Sequence, residues 1–322
     1  MSSTKPTLLI MGPGLIGGSL LTELLKSNHY DITVMARSAE QIDVLAKLGV
    51  HTIHAGLQEL EKIAAAVETH DITVNAASAD DVEVAHASIA ALKKSPKNNS
   101  GGQKIFVQVS GAGVFGHKYS PHNPIDTIYD DNDVDIINSL SPTAPHRPVD
   151  IAWYNASQEL AGKAKIAIFI PATVFGVGTG PFGKISIQIP KKVEEALRNG
   201  YASYGGDGQA TFAHISIADL VSATTILLDA LENSKVDVTT NPYFNANNSV
   251  ETTWFDVVQR IGADLHAKGR IATAEPRSSG PEYDFYGFYR PRTSRLRALG
   301  WEETDVDVLA GVSADVEALT SA

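Results

Sequence analysis

Six residues near the start of the chain, Gly12-Pro13-Gly14-Leu15-Ile16-Gly17, have the spacing of a loop that takes a phosphate on bare backbone. They stand between an apolar run, 7–11, and an amphipathic stretch, 15–27. In a strand–turn–helix of this kind the first glycine makes the tight turn and the second lets backbone approach a pyrophosphate with no Cβ in the way. The third lets helix and strand pack closely. The first helical amides, at Leu15 and Ile16, and the positive end of the helix dipole then face the phosphates. The flanking elements carry this reading, because Gly-x-Gly-x-x-Gly also occurs in purely structural turns.

The next apolar run, DITVMA, ends in Arg37-Ser38 with no acidic residue after it. A carboxylate at that strand end accepts from a ribose 2′-hydroxyl, whereas an arginine accommodates a 2′-phosphate, so NADP(H) is expected in preference to NAD(H). VNAAS (74–78) closes the fourth strand in small residues. Asn75, Ala76 and Ala77 are therefore expected where a cofactor passes over the carboxyl edge of the sheet. A plain strand end with a polar cap is the alternative.

Positioning these groups requires a particular framework. Strand-like runs at 31–36, 71–76, 104–110 and 165–170 alternate with helical patterns at 39–48, 57–68, 79–94 and within 130–162. Such alternation predicts an α/β fold, a doubly wound parallel Rossmann sheet with helices on both faces. SPKNNSGGQ (95–103) is polar and turn-rich, a surface loop and not a boundary, since another buried-type strand follows. KIAIFI (165–170) is expected to be the sixth strand and to complete the sheet. Residues 1–170 then form the dinucleotide-binding part, and 171–322 a smaller, mainly substrate-binding lobe with segments returning to the core. That lobe carries helical patterns near 186–199, 216–232 and 251–268.

Composition excludes several classes. A hydrophobic share of 43% and a charged share of 20% suit a globular protein, and no apolar run approaches the roughly 20 residues needed to span a bilayer. With no cysteine there is neither disulfide nor thiolate chemistry. No secretory leader is evident, so a cytoplasmic location is expected. The net charge of −11, without a basic stripe, speaks against nucleic acid as a partner. The ten histidines form no metal-binding spacing. Gly-Thr-Gly at 178–180 lacks the Gly-Lys-Ser/Thr ending of an ATP-binding loop.

Together the glycine-rich first turn, VNAAS, KIFVQVSGAGVFG (104–116), IFIPATVFGVGTG (168–180) and HISIADLVSATTILL (214–228) resemble the extended and atypical short-chain dehydrogenase/reductases, the epimerase/dehydratase-like group. The resemblance covers most of the chain in the expected order. It implies that IFIPATVFG, with Pro171, wraps the nicotinamide end of the cofactor. Two departures stand out. Met11 occupies the first glycine of the family's usual Gly-x-x-Gly-x-x-Gly, and the active-site Tyr-x-x-x-Lys is absent, since Gln158 follows Tyr154 by four residues. In the family that lysine lowers the tyrosine pKa so that the phenol can pass a proton as hydride moves. The family's catalytic Ser or Thr aligns with Gly111, one residue after Ser110.

Two catalytic candidates remain. Ser110, at the end of strand five, is placed to orient a carbonyl, or else simply ends a strand. Tyr154 either faces the cofactor or buries its ring in a helix interface, the second being the stronger reading. His146, Arg147 and Asp150 flank the start of the same helix, where Asp150 is read as capping. Phe175, Phe182, Tyr201, Tyr204, Phe212, Phe285, Tyr286, Phe288 and Tyr289 supply material for a pocket or for the core. The function expected is an NADP(H)-dependent oxidoreductase or epimerase-like enzyme on a small-molecule metabolite. A non-catalytic NADP(H)-sensing protein and a non-redox isomerase or lyase are the alternatives, and fold does not decide among them.

Overall fold

The computed structural model describes residues 5–116, 127–280 and 289–321. The first half is a regular alternation: β1 (Thr7–Met11), α1 (Leu15–Ser27), β2 (Asp31–Ala36), α2 (Ala39–Lys47), β3 (His51–His54), α3 (Leu60–Thr69), β4 (Ile72–Asn75), α4 (Val82–Lys94) and β5 (Lys104–Val109). β6 (Ile128–Asp130), α5 (Val134–Asn138), α6 (Arg147–Glu159) and β7 (Ala164–Pro171) follow. The second half adds β8 (Thr173–Phe175), α7 (Gln188–Asn199), β9 (Ser203–Tyr204), β10 (Thr211–Ser216), α8 (Ile217–Glu232), β11 (Tyr243–Ala246), β12 (Glu251–Thr253) and α9 (Trp254–Ala267). β13 (Arg277–Ser278), β14 (Arg290–Arg292), α10 (Ser294–Ala298) and α11 (Val308–Thr320) close the described chain.

The central sheet has seven strands in the order β11-β7-β5-β4-β1-β2-β3, every pair parallel. β4, β5 and β7 are almost wholly buried, which is why they read as continuous apolar runs and not as alternating ones. From β1 the chain winds through β2 to β3 and then returns to β4 and β5 on the other side. Right-handed crossovers therefore place α1 and α2 on one face and α3, α4 and α6 on the other. α8 packs on α1. The order reverses between β1 and β4, opening the crevice in which such sheets bind ligands beyond the carboxyl ends of their strands.

The expected end of the sheet at 165–170 is corrected. β11 adds a seventh strand, pairing Tyr243–Ala246 with Ile168–Pro171. Four residues following Pro242 carry too little periodicity to announce a strand; the hydrogen-bonding edge of β7 creates it. Beyond Pro171 the chain leaves the main sheet, and β8 joins β10 and β12 in a small three-stranded sheet above the carboxyl edge.

Candidate functional site

The glycine loop divides its work as its spacing suggests. Gly12 has a φ of +87°, and a Cβ there would lie 2.7 Å from the Cα of Ala77. A Cβ on Gly17 would lie 2.1 Å from the carbonyl oxygen of Gly12, so helix and turn touch at that point. At Gly14 a Cβ would meet nothing within 4 Å. That open space lies above the amino end of α1, which has no side-chain cap and no acidic residue in its first turn. Among the described residues no side chain caps these first-turn amides, and an uncapped helix end of this kind suits a bound pyrophosphate.

Two cavities flank the loop and share Ala76. The first, about 410 Å³, is lined by Gly12, Pro13, Gly14, Met35, Ala36, Arg37, Gln41, Ala55, Gly56, Leu57, Ala76 and Ala77. Among the described residues, Arg37 is its sole charged lining residue. Ser38 stands outside this lining, its hydroxyl accepting from the Gln41 amide as the cap of α2. Asn75 is also set back: its amide donates to Gln108 at 2.8 Å, and its Oδ1 accepts from the Ala77 amide at 3.1 Å. It shapes the turn that presents Ala76 and Ala77.

The second cavity, about 460 Å³, opens over the end of β5 between Leu15, Ile16, Ala76 and Ser110 on one side and Pro171, Ala172, Thr173 and Val174 on the other. Phe212, Trp254 and Tyr289 cover it from the second half of the chain. Phe212 stacks on Trp254 with centroids 4.4 Å apart, and the Tyr289 hydroxyl lies 2.9 Å from that of Thr173. Of the other aromatics expected there, Phe175 is buried in the core, Tyr201 lies beneath the Arg277 guanidinium and Tyr204 packs on Phe255. Phe182 is absent from the lining, and Phe285, Tyr286 and Phe288 lie outside the described residues. Gly-Thr-Gly at 178–180 crosses α1, where the Thr179 amide donates to Ser19 Oγ at 3.1 Å.

Ser110 lines this cavity, and its hydroxyl donates to Asp150 Oδ2 at 2.9 Å. Asp150 is therefore not a helix cap. It sits fully buried in the first turn of α6. Burial pushes its carboxyl up to about 7, opposed by the Ser110 hydroxyl and the charge of Arg147. Tyr154, one turn further along α6, lies outside the cavity lining and stacks on Tyr243 with centroids 5.8 Å apart. The group that α6 does deliver to the cavity is His146. Its Nε2 stands where a Cβ on Gly111 or Gly113 would approach to 3.0 Å, and its Nδ1 lies 2.7 Å from Asp80 Oδ1. His146 and Asp150 are four residues apart, the spacing of the missing Tyr-x-x-x-Lys. The sequence had placed both only at the start of this helix, and the approach of Asp80 to His146 had no sequence signal.

The raised Asp150 carboxyl has a consequence for stability. With a folded value near 7 against an ordinary 3.8, its contribution is fully present below about pH 4 and is lost as pH rises toward 7. Asp150→Asn keeps an acceptor for Ser110 and removes the titration. Denaturant unfolding from pH 4 to pH 8 should show the wild-type protein losing on the order of a few kcal/mol relative to the variant. Parallel pH profiles would contradict a buried, titrating Asp150.

A larger opening of about 1030 Å³ lies at the opposite edge of the sheet, lined among others by Thr7, Asp31, Ile72 and Ile105. It faces the amino ends of the strands, the edge that parallel sheets do not use for cofactors, and none of the groups above reaches it.

Residues 12–133 match a family model described as NAD(P)H-binding. A dTDP-glucose 4,6-dehydratase from Bacillus anthracis, solved in complex with NAD, superposes with a TM-score of 0.70 at 16% identity, covering 98% of this chain and 97% of its own. A UDP-glucose 4-epimerase from Thermotoga maritima, solved with UDP-glucose, gives 0.69 at 17% identity over 98% and 99%. A dTDP-glucose 4,6-dehydratase from Streptomyces venezuelae gives 0.71 at 16% identity over 97% and 96%. Comparison with curated proteins returns no significant sequence match. Residues 12–133 are thus similar to an NAD(P)H-binding family, and the chain shares the fold of these solved dehydratases and this epimerase. Among the described residues, no helix is long and apolar enough to cross a membrane.

Proposed function

We propose that the protein is an NADP(H)-dependent oxidoreductase acting on a small, largely apolar carbonyl or hydroxyl compound. The observation that carries this reading is the pair of cavities meeting at Ala76 over the carboxyl edge of a parallel sheet. One is lined by Arg37 without a carboxylate, and the other is mostly apolar around Ser110 and His146. Gly12, Gly14, Leu15, Ile16, Ala76, Ala77 and Pro171 would hold the dinucleotide along this path, and Arg37 would meet the 2′-phosphate through charge-assisted hydrogen bonds. Bound there, the nicotinamide supplies or accepts a hydride. Ser110 orients the reacting oxygen. When Asp150 is neutral, its O–H becomes the donor toward Ser110 and releases the serine hydrogen to the cavity.

The second cavity must admit the nicotinamide ring as well as the substrate, and 460 Å³ leaves room for a compound of modest size. That favours a small metabolite over the sugar nucleotides of the structural relatives. Calorimetry comparing NADPH with NADH tests the cofactor reading. Arg37→Ala should weaken NADPH about tenfold, equivalent to ~1.4 kcal/mol, and leave NADH unchanged. Equal affinities in the wild-type protein, or an indifferent Arg37→Ala, would remove the argument.

A further inference from the structure

We propose that His146 is the catalytic acid–base residue of this cavity, with Asp80 as the group that positions it; the proposal rests on the oxidoreductase reading above. Three independent features converge on the imidazole. First, His146 takes a φ of +66°, a left-handed backbone that a non-glycine residue adopts at a conformational cost. Its backbone N–H donates to Asp80 Oδ1 at 3.2 Å, and the ring Nδ1 lies 2.7 Å from the same oxygen. One carboxylate oxygen thus fixes both main chain and ring from the loop that follows β4.

Second, the turn after β5 leaves space for the ring. A Cβ on Gly111 or on Gly113 would fall 3.0 Å from Nε2, closer than ordinary contact. Third, among the described residues Nε2 has no hydrogen-bond partner, while His146 lines the same cavity as Ser110, Ile16 and Pro171. A ring held at Nδ1 by a carboxylate, with Nε2 beside the Gly111 and Gly113 turn that lines the same cavity, is arranged for proton transfer, since the proton on Nδ1 leaves Nε2 as the exchanging site. Arg147 and Asp150, which follow His146 on α6, are both buried.

In the reducing direction the substrate's carbonyl carbon accepts the hydride supplied by reduced nicotinamide, forming a C–H bond as the carbonyl π bond opens. Its oxygen takes the proton from Nε2 of the protonated ring. The products are the alcohol and the oxidised cofactor, and His146 is left neutral with its remaining proton on Nδ1, toward Asp80. Water restores the Nε2 proton, because the ring is 23% exposed. Oxidation of an alcohol runs the same transfers backward.

His146→Asn is the decisive variant, because asparagine tolerates the left-handed backbone and cannot relay the proton. Protein preloaded with NADPH is mixed with a panel of small aliphatic and aromatic aldehydes and ketones, and nicotinamide absorbance is followed through a single turnover. The expected result is a native circular dichroism spectrum, NADPH affinity within about threefold of wild type and a transfer rate about 100-fold lower, the lower end for an acid–base group. An unchanged rate overturns the proposal. A second measurement needs no turnover: nitrogen-15 NMR of the ring-labelled free protein should show neutral His146 as the Nδ1–H tautomer, and Asp80→Ala should shift it toward Nε2–H. A wild-type ring already in the Nε2–H form overturns the proposal even if no carbonyl on the panel is reduced. Failure of wild-type protein to bind NADPH is a different outcome, defeating the oxidoreductase reading and this proposal with it.

Discussion

Gly14→Val is expected to abolish dinucleotide binding, by 100-fold or more, in a protein that still folds. The structure separates the two effects at this position. A Cβ on Gly14 meets no protein atom within 4 Å, and the residue's φ of −71° lies in a region open to any amino acid. The branched side chain therefore enters the cleft without displacing the core. It fills the space through which a pyrophosphate must approach the first amides of α1. Losing two charge-assisted contacts at roughly 1.5–3 kcal/mol each corresponds to at least 100-fold in affinity. Gly17→Val is the control: its Cβ would lie 2.1 Å from the Gly12 carbonyl oxygen, so it should lose binding by losing the turn itself. Cofactor titration beside circular dichroism distinguishes them. Retained NADPH binding in a folded Gly14→Val protein would mean that the loop serves another purpose.

The largest stability effect is expected at Asp131, far from the glycine loop. Its carboxylate is fully buried and accepts from three backbone amides, those of Ser294 at 2.8 Å, Asn245 at 2.9 Å and Arg295 at 3.0 Å. The Arg295 side chain in turn donates to the carbonyls of Asn241, Tyr243 and Asp237. One carboxylate therefore ties the loop after β6 to the seventh strand and to α10. Burial lifts it to about 6, against the three amides and Arg295, so it is charged at neutral pH. Asp131→Ala strands those three amides in the interior and removes the charge that opposes Arg295, at a cost of roughly 3–5 kcal/mol. Urea unfolding at neutral pH measures it; a loss below about 1 kcal/mol would show that water replaces the carboxylate.

These predictions depend on the sequence to different degrees. The geometry of the turn at Gly12, Gly14 and Gly17 was legible because it lies within one strand–turn–helix, where neighbours in sequence are neighbours in space. The parallel strands β1, β4, β5 and β7 were legible for a related reason: burial on both faces demands an unbroken apolar run. The place of Arg37 at the end of β2 was legible for the same reason. The β11 strand was not, since YFNA becomes a strand only when the β7 edge satisfies its backbone groups. Among the candidate groups, the sequence offered Ser110, which lines the cavity, and Tyr154, which does not, because the turn of α6 that faces the cavity is set by packing. Trp153, on that helix, is fully buried and stacks on Phe106, with ring centroids 4.1 Å apart. Tyr154 is thereby directed to Tyr243 and His146 to the turn at Gly111. Asp80 and His146 are 66 residues apart, and no local pattern encodes a contact that exists only once β4 and α6 are packed beside the same strand. The sequence by itself determined the parallel α/β fold and the glycine turn between β1 and α1, which are local in origin. The tertiary structure alone decided which side chains meet across the second cavity, because their distances are set by long-range packing.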